Sequence, residues 1–176
     1  YFLFSDVSHG KLLALFVFGI ASATDAIDGY YARKHNLVTK FGVFFDPLAD
    51  KLLVLSAFYG FMFISILSTE VKIWMIVLIS FRDVLVTVLR MIMQYRGVTM
   101  VTSKVGKLKT LLQISTITLV LVYLILFSYD IKYWQIALDF PIIYFAMVVT
   151  TLVTFYTGIH YFYYNYRTLG QLLFQK

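Results

Sequence analysis

An all-α membrane bundle is the fold class this sequence predicts, and three observations predict it. The chain of 176 residues is 61% hydrophobic, 19% aromatic and only 14% charged, whereas soluble domains average about 45–50% apolar and about 25% charged. Mean hydropathy is +0.83, and several uncharged runs approach the roughly 20 residues a helix needs to cross the hydrocarbon core. Backbone groups in lipid must be satisfied internally, so these runs are helices; a transmembrane barrel would instead alternate polarity over segments of about 10 residues. The expectation is a polytopic bundle of five spans, forming a single domain over residues 1–176.

The elements follow in order. The apolar run Leu12 to Thr24 is too short to span alone, so its helix continues through Asp28 towards Arg33. Leu52 to Thr69 is uncharged and reads as a second span, entered from about Gly42. A third covers Ile73 to about Tyr95 and contains Arg82, Asp83 and Arg90. The fourth, Thr110 to Tyr129, and the fifth, Phe140 to Ile159, are uncharged throughout. The chain opens on Tyr rather than Met, and a segment preceding it is expected.

Lysine and arginine set the orientation. Arg33, Lys34, Lys40, Arg90, Arg96, Lys104, Lys107, Lys109, Arg167 and Lys176 fall on one side, against Lys11, Lys72 and Lys132 on the other. By the positive-inside rule the rich side is cytoplasmic. Trp74, Trp134 and the tyrosines near span ends suit interfacial belts, and His35 and His160 read as interfacial polar residues. The net charge of +6 is then topology and lipid attraction, not nucleic-acid binding. With no cysteine, thiolate metal sites and disulfides are excluded.

Four of the nine acidic residues lie between positions 25 and 50. Asp25 and Asp28 are spaced i,i+3 and Asp46 and Asp50 i,i+4, so each pair shares one helix face. The short stretch between them makes a helical hairpin, which lets the pairs converge near the membrane surface. Clustered carboxylates there repel and are costly to desolvate, so they call for cations. All-oxygen donors select Mg²⁺, Mn²⁺ or Ca²⁺, and no EF-hand loop is present. Gly29, Ala32 and Gly42 would let a substrate or a helix approach closely, and Arg33 offers a guanidinium to phosphate. Each alone reads equally as a packing residue or an interfacial anchor.

A second polar set lies deeper. Arg82 and Arg90, about two turns apart, can share a helix face, and intramembrane ionisable residues are functional candidates. Lys104, Lys107, Lys109, Thr110 and Gln113 follow. Together they would suit a substrate that carries a phosphate, although the lysines also read as a headgroup-binding loop. "GKLKT" lacks the earlier glycine of a phosphate-binding P-loop.

The stretch D-x2-D-G-x2-A-R-x8-G-x3-D-x3-D, formed by Asp25, Asp28, Gly29, Ala32, Arg33, Gly42, Asp46 and Asp50, resembles the signature of the CDP-alcohol phosphotransferases at every position. The resemblance implies transfer from a CDP-linked lipid to an alcohol, with release of CMP. It implies two divalent cations, Mg²⁺ or Mn²⁺, held by Asp25, Asp28 and Asp46, with Asp50 as general base and further metal contact. Asp25, Gly29, Ala32, Arg33 and Gly42 would bind the CDP group. "FDPLADKLL", "RDVLVTVLR", "GKLKTLLQ" and "FYTGIHYFYYNYR" look most like the family's bacterial phosphatidylglycerophosphate synthase branch. That branch implies CDP-diacylglycerol and sn-glycerol 3-phosphate as substrates, with Arg82, Arg90, Lys104, Lys107, Lys109 and Thr110 around the acceptor phosphate. It also implies six helices, the first missing here, a homodimer, and a bacterial inner-membrane enzyme with a cytoplasmic site.

One departure stands out: Arg82 is followed by Asp83 where the branch usually has Glu. Arg-Asp is also familiar in cardiolipin synthases of the same superfamily, which keeps phosphatidylglycerol open as an alternative acceptor. A small cation transporter is the rival from another class; the one-sided placement of the carboxylates argues against it.

Overall fold

A computed structural model describes Leu3 and residues 8–34, 40–95, 104–129 and 141–174. For some helical residues, among them Asp25, Asp28, Gly29, Ala32, Arg33, Gly42, Asp46, Asp50, Lys104 and Lys107, the description is of the backbone alone. His35, Arg96, Lys132, Trp134 and Lys176 lie outside the described residues.

Five helices account for the described chain: α1 (Ser8–Lys34), α2 (Lys40–Met62), α3 (Ile73–Tyr95), α4 (Lys104–Ser128) and α5 (Ile142–Phe174). The shortest have 23 residues, about 34 Å at 1.5 Å per residue, enough for a hydrocarbon core of about 30 Å. Leu108–Ser128 and Ile142–Tyr166 are apolar enough to cross a membrane by length and composition alone. α3 carries three charges that the fold must compensate. α3 packs on α2 and α5, and α4 on α1, α2 and α5.

The exterior confirms the solvent. Phe81 is 66% and Leu111 63% exposed, on helices whose inward faces carry Asp83 and Lys109. α5 shows the same inversion. Val149, Leu152, Phe155 and Ile159 face outward, while Thr150, Thr151, Thr154, Thr157 and Asn165 are buried. Continuous exposed apolar faces of this kind belong in lipid, and the chain is an all-α membrane bundle.

Three spans differ from expectation at one end: the fourth begins at Lys104 rather than Thr110, so Lys104, Lys107 and Lys109 lie on the helix and not in a loop. The second helix ends at Met62, not Thr69. Phe63 N–H donates to Gly60 O at 3.2 Å and Ile64 N–H to Phe61 O at 3.2 Å, tightening the last turn. Ile64 is extended, and a 3-10 turn follows at Ser65–Leu67. The run looks like a continuing span because it is uncharged. What ends it is the burial of Leu67 and Val71 in the core, reached only if the chain turns back. The fifth helix continues past Ile159 to Phe174, 33 residues in all, about 50 Å. It therefore extends beyond a hydrocarbon layer, and the tyrosines from Tyr161 to Tyr166 fall where it would leave it.

The bundle has two unlike halves. Towards the α2–α3 turn the core is purely apolar: Phe58, Phe61, Leu67, Met75, Ile76, Ile79, Ile117, Leu124 and Met147 are almost wholly buried. Towards the opposite end the buried residues turn polar: Asp83, Thr87, Lys109, Gln113, Thr154, Thr157 and Asn165. The same end holds the Asp25–Asp50 segment of the chain. Apolar packing therefore fixes one end, while the other encloses a polar interior.

At the apolar end, Glu70 Oε2 accepts from the backbone N–H of Tyr144 at 3.2 Å. Tyr144 is the third residue of α5, whose N–H has no intrahelical acceptor, so Glu70 caps α5 from a distant turn and its charge opposes the helix dipole. Glu70→Ala should lower the stability of the detergent-solubilised protein by about 1 kcal/mol, as loss of a side-chain cap does. An unchanged thermal midpoint would show the contact to be idle.

Candidate active site

The two aspartate pairs sit on α1 and α2 at matched positions. Asp28 lies six residues before the end of α1 at Lys34, and Asp46 six residues after the start of α2 at Lys40. Each is thus about 9 Å along its axis from the connection. A connection of so few residues brings the two helix ends together, so antiparallel helices would set the pairs level. Four carboxylates without nitrogen or sulfur donors are a hard-oxygen set, which fits Mg²⁺ or Mn²⁺.

Across the bundle lies an ionic network. The Asp83 carboxylate, on α3, is 1% exposed. Lys109 Nζ on α4 donates to its Oδ1 at 2.5 Å, and Gln113 Nε2, one turn further along, donates to Oδ2 at 3.1 Å. Arg82 Nη1 reaches Oδ1 at 3.3 Å. Spacing i,i+4 puts Lys109 and Gln113 on one face of α4, so both carboxylate oxygens are held. Lys51, the residue after Asp50, is among the charges acting on Lys109. The network therefore lies near the α2 segment that bears the second aspartate pair.

On its other side α3 faces α5. Arg82 runs past Gly158: a β-carbon at Gly158 would stand 2.9 Å from Arg82 Cγ and 3.5 Å from Nε. Arg90 follows Arg82 two turns on along α3, and Tyr161, 8% exposed, follows Gly158 one turn on along α5. The buried Nε atoms of Arg82 and Arg90, Gln113 Oε1 and Thr154 Oγ1 have no hydrogen-bond partner among the described residues. Buried donors and acceptors left over in this way are groups that a ligand or water can complete.

A family model described as CDP-alcohol phosphatidyltransferase matches residues 1–159. The chain belongs to that family. It is 37% identical over 163 residues to a CDP-diacylglycerol–glycerol-3-phosphate 3-phosphatidyltransferase of Bacillus subtilis, covering 93% of this chain and 77% of the relative. It is 41% identical over 115 residues to the protein of that name from Rickettsia typhi, 65% of this chain and 62% of the relative. A probable phosphatidylglycerophosphate synthase of Mycobacterium tuberculosis is 42% identical over 106 residues, 60% of this chain and 48% of the relative.

In this CDP-alcohol phosphatidyltransferase the residues singled out by sequence have different fates. The side chains of Asp25, Asp28, Arg33, Asp46, Asp50, Lys104 and Lys107 lie outside the described residues. Arg82 and Arg90 come together on the α5 face of α3. Lys109, assigned by sequence to the acceptor phosphate, is 2% exposed with its ammonium on Asp83. Thr110 Oγ1 turns back to Gly106 O at 3.5 Å. His160 stacks on Tyr164, ring centroids 4.4 Å apart, in keeping with an interfacial residue. Asp83 and Gln113, both members of the second polar set read from the sequence, bond to each other at 3.1 Å. Gly158 and Tyr161, which stand in the sequence only within "FYTGIHYFYYNYR", are brought to the same part of the α3–α5 contact.

Breaking a buried ion pair leaves the surviving charge uncompensated, at a cost of about 3–5 kcal/mol. Asp83→Ala and Lys109→Met should therefore each destabilise the protein strongly, while the double variant should lose less than the sum. Thermal unfolding of the four proteins measures this, and strictly additive losses would refute the coupling.

Proposed function

We propose that the protein transfers the phosphatidyl group of CDP-diacylglycerol to sn-glycerol 3-phosphate, giving phosphatidylglycerophosphate and CMP. The observation that carries the reading is the arginine pair on α3, at the same end of the bundle as the family's aspartate signature. Arg82 and Arg90 present guanidinium groups with unpartnered Nε atoms, and guanidinium matches the geometry of a phosphomonoester. The names of the Bacillus and Rickettsia relatives support the same acceptor.

In this reading Asp25, Asp28, Asp46 and Asp50 hold two divalent cations, which when bound neutralise the diphosphate and the departing CMP. Gly29, Ala32, Arg33 and Gly42 border the CDP group. Asp50 takes the proton of the acceptor's primary hydroxyl as that oxygen bonds to the phosphorus carrying diacylglycerol. The bond from that phosphorus to the bridging oxygen breaks, and CMP leaves with the electron pair. Arg82 and Arg90 fix the acceptor's phosphate, with Lys104, Lys107 and Thr110 towards the surface. Lys109 serves the site through Asp83. The site faces the cytoplasm by the positive-inside rule, in the inner membrane of a bacterium, and the assembly is a homodimer.

Asp83 replaces the branch's usual Glu, but its carboxylate is directed at Lys109 and Gln113. With its carboxylate occupied in this way, Asp83 carries no preference for phosphatidylglycerol as acceptor. Purified protein given CDP-diacylglycerol should release CMP with glycerol 3-phosphate and not with phosphatidylglycerol, serine or inositol phosphate. Success with phosphatidylglycerol alone would make it a cardiolipin synthase. Asp50→Asn should abolish CMP release in a protein that still unfolds cooperatively; normal turnover would remove Asp50 as the base. Chelation should stop wild-type turnover and added Mg²⁺ or Mn²⁺ restore it, and activity that survives exhaustive chelation would remove the metal reading.

A further inference from the structure

Arg82 must satisfy two demands. Its Nη1 holds Asp83 at 3.3 Å, yet its guanidinium belongs with Arg90, on the side of α3 that faces α5. To meet both, the stem has to cross the α3–α5 contact, where an ordinary side chain on α5 would stand in its way. Position 158 on α5 has none. The 2.9 Å from a Gly158 β-carbon to Arg82 Cγ is shorter than non-bonded carbons tolerate, and Cγ is the near part of the side chain, which cannot swing away without moving the whole stem. Gly158 is itself buried, so the helices have no free space into which to part. Its neighbours agree in chemistry: Thr154 and Thr157 are buried on the same helix, and so is Tyr161, three residues on.

We propose that Gly158 is a positioning residue for acceptor selection, its bare Cα forming the seat over which the Arg82 stem passes so that the guanidinium stands beside Arg90 at the acceptor phosphate. The proposal rests on the reading that Arg82 contacts that phosphate. Gly158 touches no substrate; it acts through Arg82. The first half of the site, the aspartates on α1 and α2, lies outside its reach.

A double-mutant cycle on the full chain tests this. Wild type, Gly158→Ala, Arg82→Ala and the double variant are purified, and KM and kcat are measured with CDP-diacylglycerol and glycerol 3-phosphate. Gly158→Ala should raise KM for glycerol 3-phosphate about ten-fold or more, the scale of a small misplacement of a binding group, with KM for the lipid unchanged. In the Arg82→Ala background no Cγ remains to be displaced, so adding Gly158→Ala should change nothing further. Equal effects of Gly158→Ala in both backgrounds would overturn the proposal, since Gly158 would then act on helix packing alone. If Arg82→Ala leaves KM for glycerol 3-phosphate unchanged, the acceptor role of Arg82 falls and the proposal with it. Should Gly158→Ala alone fail to fold, recovery of folded protein in the double variant supports the seat, and failure in both backgrounds overturns it.

Discussion

A carboxylate that is 1% exposed inside a lipid-facing bundle has no water to solvate it, so the protein must supply every hydrogen bond it needs. Asp83 receives three, from Lys109, Gln113 and Arg82, and the first two tie α3 to α4. The arrangement constrains far more than itself. Because both oxygens are held from successive turns of α4, the register of α3 against α4 cannot slip by a residue without stranding a charge. Because Arg82 shares the carboxylate, its guanidinium cannot drift from the α3 axis. A buried ion pair is weak support for stability in general, but it discriminates strongly between registers, and register is what an active site assembled from separate helices requires.

The division of the bundle into an apolar and a polar half follows from the same physics. Helices in lipid gain nothing from hiding apolar side chains from one another, so association depends on packing and on polar contacts. In the apolar half, aromatic and branched side chains from α2, α3, α4 and α5 interlock around Phe58 and Phe61. In the polar half, hydroxyls and charges take over: Thr116 and Thr150 meet at 2.6 Å between α4 and α5, and Thr157 Oγ1 bonds back to Thr154 O at 2.8 Å. The first half supplies rigidity without chemistry. The second encloses hydroxyls and charges that need polar partners.

Hydropathy and charge made most of this fold legible. The third helix lies where its apolar run and its end at Tyr95 place it, and the helix through Asp25 and Asp28 continues as the short run before it requires. The second helix was misplaced at its far end because hydropathy cannot distinguish a lipid span from a buried turn; Leu67 and Val71 are apolar in either case. The aspartate motif was legible because its spacing is local, within one or two helical turns. The partners of Asp83 were not, since Lys109 and Gln113 are 26 and 30 residues away and only helix register decides which basic residue meets which acid. Gly158 was silent for a similar reason. In a membrane helix a glycine reads as a packing residue, and only the Arg82 stem beside it shows what is being accommodated.

In the proposed reaction the two halves of the chemistry come from different parts of the chain, and they would tolerate change differently. Cleavage of the CDP linkage, in that proposal, would need carboxylates at fixed local spacing, which α1 and α2 carry and which reads as a motif. Acceptor choice would need cations brought from α3 and held by α4 and α5, so it would depend on tertiary register and leave only scattered residues in the sequence. Position 83 meets α4 through Lys109 and Gln113 and has no contact with the hairpin among its hydrogen bonds to the described residues. If Arg82 holds the acceptor phosphate as proposed, the contacts that would decide the acceptor are those that seat Arg82 between Asp83 and Gly158.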